Sequence, residues 1–458
     1  MSFPLEPDEQ QMEALGRAAL DFVIDHIGSL GEQHAAGEGD RDAVVRALTW
    51  TPGEEGGELD PALAEIRTAA LSAFNTAGPG YLAYIPGGGL YSAAIADLIS
   101  LGVNRYVGLR QPSPGLVRIE QDVLDWVRDL FGFPDTTRGV LTSGGSLANL
   151  GAVVAARHAL LGEDFLDGVY YVTEQTHLSA TKAAAIAGLP ARAARRVPVT
   201  PGLRMDVDAL AQMIRDDRAA GLRPFLVVGS AGTTNTGSVD PLDDLAGLAA
   251  REGLWFHVDG AYGGFFQLTD RGRAAFAGIE RADSITLDPH KGMFLPYGTG
   301  CLIVRDGAAL RSAHASSAAY LQDLEGPGDL PNYNEYSAEL SRDWRGLRVW
   351  LPLKLHGVSA FREALDEKLD LARRFSDGVR ELNDIEVPWE PDLSIVAFRH
   401  RDGDEASRAL LESINAGGRV FISSTVIDGR FTLRCAVLSH RTHADRIDDA
   451  IEAVRRGA

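Results

Sequence analysis

From about Gly132 the chain alternates short apolar runs with helical stretches, and this rhythm constrains the fold more than any other feature. The runs are Gly139–Thr142, Gly168–Val172, Pro224–Gly229, Trp255–Asp259, Ser284–Leu287 and Gly300–Val304. Each is four to six residues long and nearly continuous in apolar character, the pattern of a strand buried on both faces. Helical segments such as Leu147–Leu161 separate several of them. The alternation predicts an α/β fold: a mostly parallel sheet flanked by helices on both faces. Ligands in such sheets bind beyond the carboxyl ends of the strands, where Thr142, Ser230 and Asp259 fall.

The flanks read differently. Pro7–Leu30 spaces Met12, Leu15, Ala19, Phe22 and Val23 as one face of an amphipathic helix, and a second helix is expected near Pro61–Asn75. Between them lie Gly/Asp/Glu-rich loops at 36–40 and 52–59, and this part carries no self-sufficient core pattern. After Trp350 a long helix, Val358–Leu382, leads to expected strands at Ile395–His400, Arg419–Ser424 and Phe431–Ala436 and a closing helix Ala444–Arg455. The domain division expected is 1–105, 106–355 and 356–458.

At 458 residues with a net charge of −20, the chain has no basic stripe for nucleic acid and no attraction to an anionic membrane surface. The start, MSFPLEPDEQQMEALG, lacks a basic region followed by an apolar one, and no apolar run reaches membrane-spanning length. Two cysteines, Cys301 and Cys435, leave no room for a disulfide framework. The expectation is a cytoplasmic protein acting on small molecules.

The chemistry is concentrated in two strings. Trp255-Phe256-His257-Val258-Asp259 ends an apolar strand in a carboxylate, and Asp288-Pro289-His290-Lys291-Gly292 follows the next strand. One cofactor needs both ends of this pairing. Pyridoxal 5'-phosphate (PLP) is held as a Schiff base on a lysine, and an aspartate pairs with its protonated pyridine nitrogen. Upstream, Ser143-Gly144-Gly145-Ser146-Leu147 lies between a strand and a helix. It reads as a serine N-cap after a tight turn, or as a cup in which glycines and free N–H groups take a phosphate.

His290-Lys291, with Asp259 and the glycine-rich turn in this order, resembles the group II PLP-dependent amino acid decarboxylases. The resemblance runs from about Pro4 to about Arg455. It implies the fold type I (aspartate aminotransferase-like) architecture, with an N-terminal arm that packs on a partner subunit of a homodimer and a small C-terminal α+β domain. It implies decarboxylation of an L-amino acid to amine and CO2, with Lys291 as the Schiff-base lysine and Asp259 as the pyridine partner. Gly145, Ser146 and Leu147 match phosphate contacts, and His177 matches the histidine that stacks on the cofactor ring. Thr234 and Ala261 match positions beside the ring, and Asp288 and His290 match phosphate and substrate-carboxylate contacts. Many relatives have Asn where Asp288 stands and Trp where Gly292 stands. No metal enters the reading.

The resemblance also implies a catalytic loop, read here as Gln322–Asn334, whose tyrosine returns a proton to the substrate carbon after CO2 leaves. Counting back from Trp350 favours Tyr333, with Tyr320 and Tyr336 as fallbacks. A relative with Phe at that position makes aldehyde oxidatively, so tyrosine favours plain decarboxylation. Tyr84, Ile85 and Pro86 fall on substrate-pocket positions, which suit an aromatic side chain such as that of Trp, Phe, Tyr or DOPA or a bulky aliphatic one. Arg105 and Arg110 are nearby cations for an acidic substrate or simple ion-pair partners. A transaminase would need an arginine for the substrate carboxylate, for which Arg434 is the candidate.

Overall fold

The computed structural model describes residues 5–315 and 329–458. The N-terminal region is helical, with α1 (Glu9–Ser29), α2 (Arg41–Ala47) and α3 (Leu59–Ser72). Asp8 starts α1 with a capping box in which its side chain accepts from the Gln11 N–H while Gln11 returns a bond to the Asp8 backbone. None of these three helices buries a residue, so the apolar stripe of α1, including Met12, Leu15 and Ile24, lies exposed. The strand β1 (Tyr81–Leu82) and helices α4 (Tyr91–Val103) and α5 (Pro114–Leu130) complete this part.

The central region runs β2 (Arg138–Thr142), α6 (Gly145–Leu161), β3 (Gly168–Val172), α7 (Leu178–Ile186), β4 (Ala194–Arg196), α8 (Val207–Ala219) and β5 (Arg223–Ser230). It continues with α9 (Leu242–Glu252), β6 (Trp255–Gly260), α10 (Asp270–Ala275), β7 (Ser284–Leu287), α11 (Pro289–Gly292), β8 (Gly300–Val304) and α12 (Gly307–His314). The seven strands form one sheet in the order β2-β8-β7-β6-β5-β3-β4. β3 to β7 pair in parallel, while β8 runs antiparallel to both of its neighbours. The mostly parallel α/β sheet expected from the alternating runs is therefore present. β4, an Ala-Arg-Arg edge strand, has no counterpart in the sequence reading.

The last part holds α13 (Arg345–Arg380), β9 (Ile385–Glu386), β10 (Ile395–His400), α14 (Asp404–Ala416), β11 (Phe421–Ile427), β12 (Arg430–Ala436) and α15 (Ala444–Gly457). The helical path of α13 breaks at Gly357, whose φ of 71° and ψ of 164° only glycine adopts without strain. A second sheet takes the order β1-β11-β12-β10-β9, so a strand from residues 81–82 pairs in parallel with β11 of the C-terminal part. Leu82 accordingly packs in the C-terminal hydrophobic cluster with Phe375, Phe398 and Leu433. Among the described residues no helix is long and apolar enough to cross a membrane.

Candidate active site

Three strand ends and one turn converge at the carboxyl edge of the large sheet. Strand register sets Ser230 beside Asp259, and Gly260 beside Leu287, which delivers Asp288 and the short helix α11 to the same edge. Beyond β2, the chain turns through Ser143 and Gly144 and enters α6 at Gly145. These segments enclose a cavity of about 270 Å³ lined by Ser143–Leu147, His177, Ser179, Ala261, Asp288, His290 and Lys291.

Lys291 Nζ lies 2.7 Å from Asp288 Oδ2, and the Asp288 side chain is 2% exposed. Its other oxygen, Oδ1, is buried with no hydrogen-bond partner. A buried carboxylate oxygen without a donor is a costly arrangement unless something else enters the cup. His290 Nδ1 donates to the Thr299 carbonyl at 2.7 Å, and burial lowers its proton affinity, with Asp288 opposing. At Gly145 a Cβ would sit 3.0 Å from Asp288 Oδ2 and 3.1 Å from the Ala261 methyl, so glycine keeps the mouth of the cup open. The Leu147 N–H bonds to the Gly144 carbonyl at 3.0 Å, which leaves the Gly145 and Ser146 N–H groups, with the helix dipole, as donors suited to a phosphate.

Behind the cup, Asp259 accepts from the Asn149 side-chain amide at 3.0 Å and from the Ala261 N–H at 3.1 Å. Asn149 Nδ2 also donates to Ser179 Oγ at 2.8 Å, and Ser179 Oγ lies 2.7 Å from His177 Nδ1. His177 caps α7 and lines the cavity. Desolvation lowers its proton affinity, Lys291 adds to the effect, and Asp259 and Asp288 oppose it.

These facts fit PLP. The glycine-lined helix start would hold the phosphate, Lys291 reaches the cavity, and Asp259 is a buried carboxylate held by two donors. Lys291, His177, Gly145, Ser146, Leu147, Ala261, Asp288 and His290 are brought together around one cavity, with Asp259 bonded to its wall. Thr234, on the loop after β5, does not line that cavity; its carbonyl accepts from Arg434 of β12. Tyr84, Ile85 and Pro86 are not among the residues lining that cavity, although the next residue, Gly87, runs against the Lys291 segment, where a Cβ would meet the His290 carbonyl at 2.8 Å. Tyr84 has a φ of 50° and its N–H donates to Ser423 Oγ at 3.1 Å, a strained backbone pinned in place.

Two assignments fare differently. Tyr333 is fully buried, with its hydroxyl 3.4 Å from Gln121 Oε1 and the Arg342 guanidinium 5.0 Å over its ring. It is not among the cavity-lining residues, and burial, with Glu120 adding, holds its phenol well above the ordinary range. Counting back from Trp350 selected a core tyrosine because spacing carries no information on burial. Tyr320 and the 322–328 part of the expected loop lie outside the described residues. Arg434 is also sequestered. Its donors are taken by the Asn235, Tyr84 and Thr234 carbonyls and Ser423 Oγ, leaving it a clamp on the pocket segment.

Asn149, Ser179 and His257 were not singled out from sequence. Strand alternation places His257 on the same face as Asp259, a signal the spacing did carry, whereas Asn149, one helical turn after Gly145, is marked by nothing in the helix sequence.

This combination of a parallel-sheet edge, an anion-binding helix start and a lysine–aspartate pair defines a PLP-dependent lyase of fold type I. Residues 53–401 match the model of the pyridoxal-dependent decarboxylase conserved domain, and the chain belongs to that family. It is 34% identical to an aromatic-L-amino-acid decarboxylase of Bacillus atrophaeus, over 98% of this chain and 95% of the relative. It is 29% identical to tryptophan decarboxylase 1 of Oryza sativa subsp. japonica, over 99% of this chain and 94% of that protein. The crystal structure of Oryza sativa TDC with PLP and tryptamine superposes with a TM-score of 0.93 at 28% identity, covering 100% of this chain and 99% of that one. The protein is a PLP-dependent amino acid decarboxylase.

Proposed function

We propose that the substrate is an aromatic L-amino acid, released as its amine plus CO2. The observation that carries this reading is the cavity lining: among the described residues Lys291 is its only permanently cationic side chain. An acidic substrate side chain would find no arginine there. Arg110 is spent on the Leu330 carbonyl, Arg105 on that of Val103, and Arg434 on its four acceptors. The names of the relatives at 34% and 29% identity point the same way.

Bound through Lys291, the cofactor supplies an electron sink for the bond to the departing carboxylate. The chain's own residues set the rest. Asp259, held by Asn149 and Ala261, presents a fixed negative charge to the pyridine nitrogen. The α6 N-terminus, Gly145 and Ser146 anchor the phosphate. His177 would lie against the cofactor and position the carboxylate to be lost, and Lys291 would hold the cofactor covalently. We assign the proton returned to the substrate carbon to Tyr320, because Tyr333 and Tyr336 are buried by their own chain. The exposed stripe of α1 supports a homodimer in which the N-terminal helices pack on the partner.

The test is to incubate the PLP-loaded enzyme with Trp, Tyr, Phe, DOPA, Leu, Met, Glu and His and read CO2 and product masses together. Amine and CO2 from the aromatic set are expected. CO2 from Glu or Leu alone would overturn the substrate class, and aldehyde with peroxide would move the chain to oxidative chemistry.

A further inference from the structure

Behind the ring site the hydrogen-bond directions are forced one after another. Asp259, ionised, can only accept, so the Asn149 amide must turn its Nδ2 toward it. Both Nδ2 hydrogens are then used, one on Asp259 and one on Ser179 Oγ. Asn149 Oδ1 consequently faces His257 Nε2 at 2.9 Å and accepts from it. His257 is buried and pushed down to about 4 by desolvation, so it is neutral, and with Nε2 protonated its Nδ1 must accept. Ser284 Oγ, 2.8 Å away, donates to that Nδ1 and in turn accepts from Trp255 Nε1 at 2.8 Å.

The other branch is equally determined. Ser179 Oγ accepts from Asn149, so its proton goes to His177 Nδ1, 2.7 Å away. The Ser179 backbone N–H also donates to that nitrogen, at 3.3 Å. Two donors on Nδ1 leave Nε2 as the protonated nitrogen of a neutral His177.

We propose that Asn149 is a positioning residue that couples the pyridine-facing carboxylate to the ring-covering histidine. A one-way chain from Trp255 through Ser284 and His257 orients its amide. That amide holds Asp259 in place and fixes His177 as its Nε2–H tautomer. The charged and titratable groups facing this junction are Asp259, His257 and His177, with Lys291 and Asp288 across the cavity. The proposal rests on Asp259 and His177 facing the cofactor as set out above. It does not depend on which amino acid is the substrate.

Two readouts independent of turnover test it on the PLP-loaded enzyme. The first is histidine-selective ¹⁵N NMR, in which His177 and His257 should both appear as neutral Nε2–H tautomers. The second is the pH midpoint of the visible absorbance of the cofactor bound through Lys291. Asn149→Asp keeps the shape but sets a carboxylate against Asp259, and two such neighbours cannot both ionise. The weakened pairing of the pyridine nitrogen should raise the midpoint by about one unit. His257→Leu should move it the same way, and His257→Gln, which retains an N–H donor, should restore it. If Asn149→Asp does not fold, the two His257 variants decide. An Nδ1–H tautomer at His177 would overturn the proposal, as would a midpoint unmoved in folded His257→Leu. Loss of CO2 release from aromatic substrates in the wild-type enzyme would count against the substrate reading alone, with both readouts unaffected.

Discussion

The ring side and the phosphate side of the cavity are built on opposite plans. Asn149, 1% exposed, spends both amide hydrogens and its carbonyl on protein partners, and Asp259 has two donors in place. Across the cavity, the Gly145 and Ser146 N–H groups that open α6 make no intrahelical bond. The first side is complete without a ligand and preorganises a charge. The second is left open for a ligand to complete. Preorganised dipoles need no rearrangement at the moment of reaction, whereas an anchor gains by binding something.

The largest effect on this comparison comes from removing the group that joins the two sides. Lys291→Ala should abolish the visible absorbance of the bound cofactor and CO2 release together. Retained turnover would sink the assignment. Next is the proposed proton donor. Tyr320→Phe should lower amine output and raise aldehyde, ammonia and peroxide by mass spectrometry and peroxide assay, and unchanged amine would return the role to another residue.

Gly145→Ala attacks the open side alone. Its methyl would press on Asp288 Oδ2 and Ala261 at 3.0 and 3.1 Å, so a few tenths of an ångström must be given up where the phosphate sits. PLP should dissociate about tenfold more readily, roughly 1.4 kcal/mol, by equilibrium titration. The absorbance midpoint governed by the ring side should stay put.

The completed side should show itself in acid. His257 binds its proton near 6.5 when unfolded and only near 4 in the fold. Stability from the neutral imidazole is full above pH 6.5 and is lost as pH falls toward 4. Between pH 7 and pH 5 the wild type should lose about 2 kcal/mol more than His257→Gln in urea unfolding. Equal losses would show that the fold does not lower the proton affinity of His257.

Legibility in the sequence followed the same division between local and non-local causes. Six of the seven central strands are largely apolar runs because both faces are covered, and their bounds were readable to within a residue or two. β4 was not, since a half-buried Ala-Arg-Arg segment owes its extended form to pairing with β3. Nor was β1, whose partner β11 is hundreds of residues away. The cup was legible because glycine, lysine and aspartate carry their chemistry in their identity. Asn149 was not, because one amide on an alanine-rich helix does not announce what lies across from it.

Tyr333 gives the smallest expected effect and the sharpest separation of position from burial. Its hydroxyl has one long contact, 3.4 Å to Gln121 Oε1, so Tyr333→Phe removes a weak bond and leaves the ring beneath Arg342. Stability should fall by about 1 kcal/mol or less in urea unfolding. The ratio of amine to aldehyde should match the wild type, because a phenol sealed in the core and held above its ordinary proton affinity cannot deliver a proton to the cavity. A product ratio shifted toward aldehyde would require the 333 segment to leave the core during turnover, and would reinstate Tyr333 as the donor.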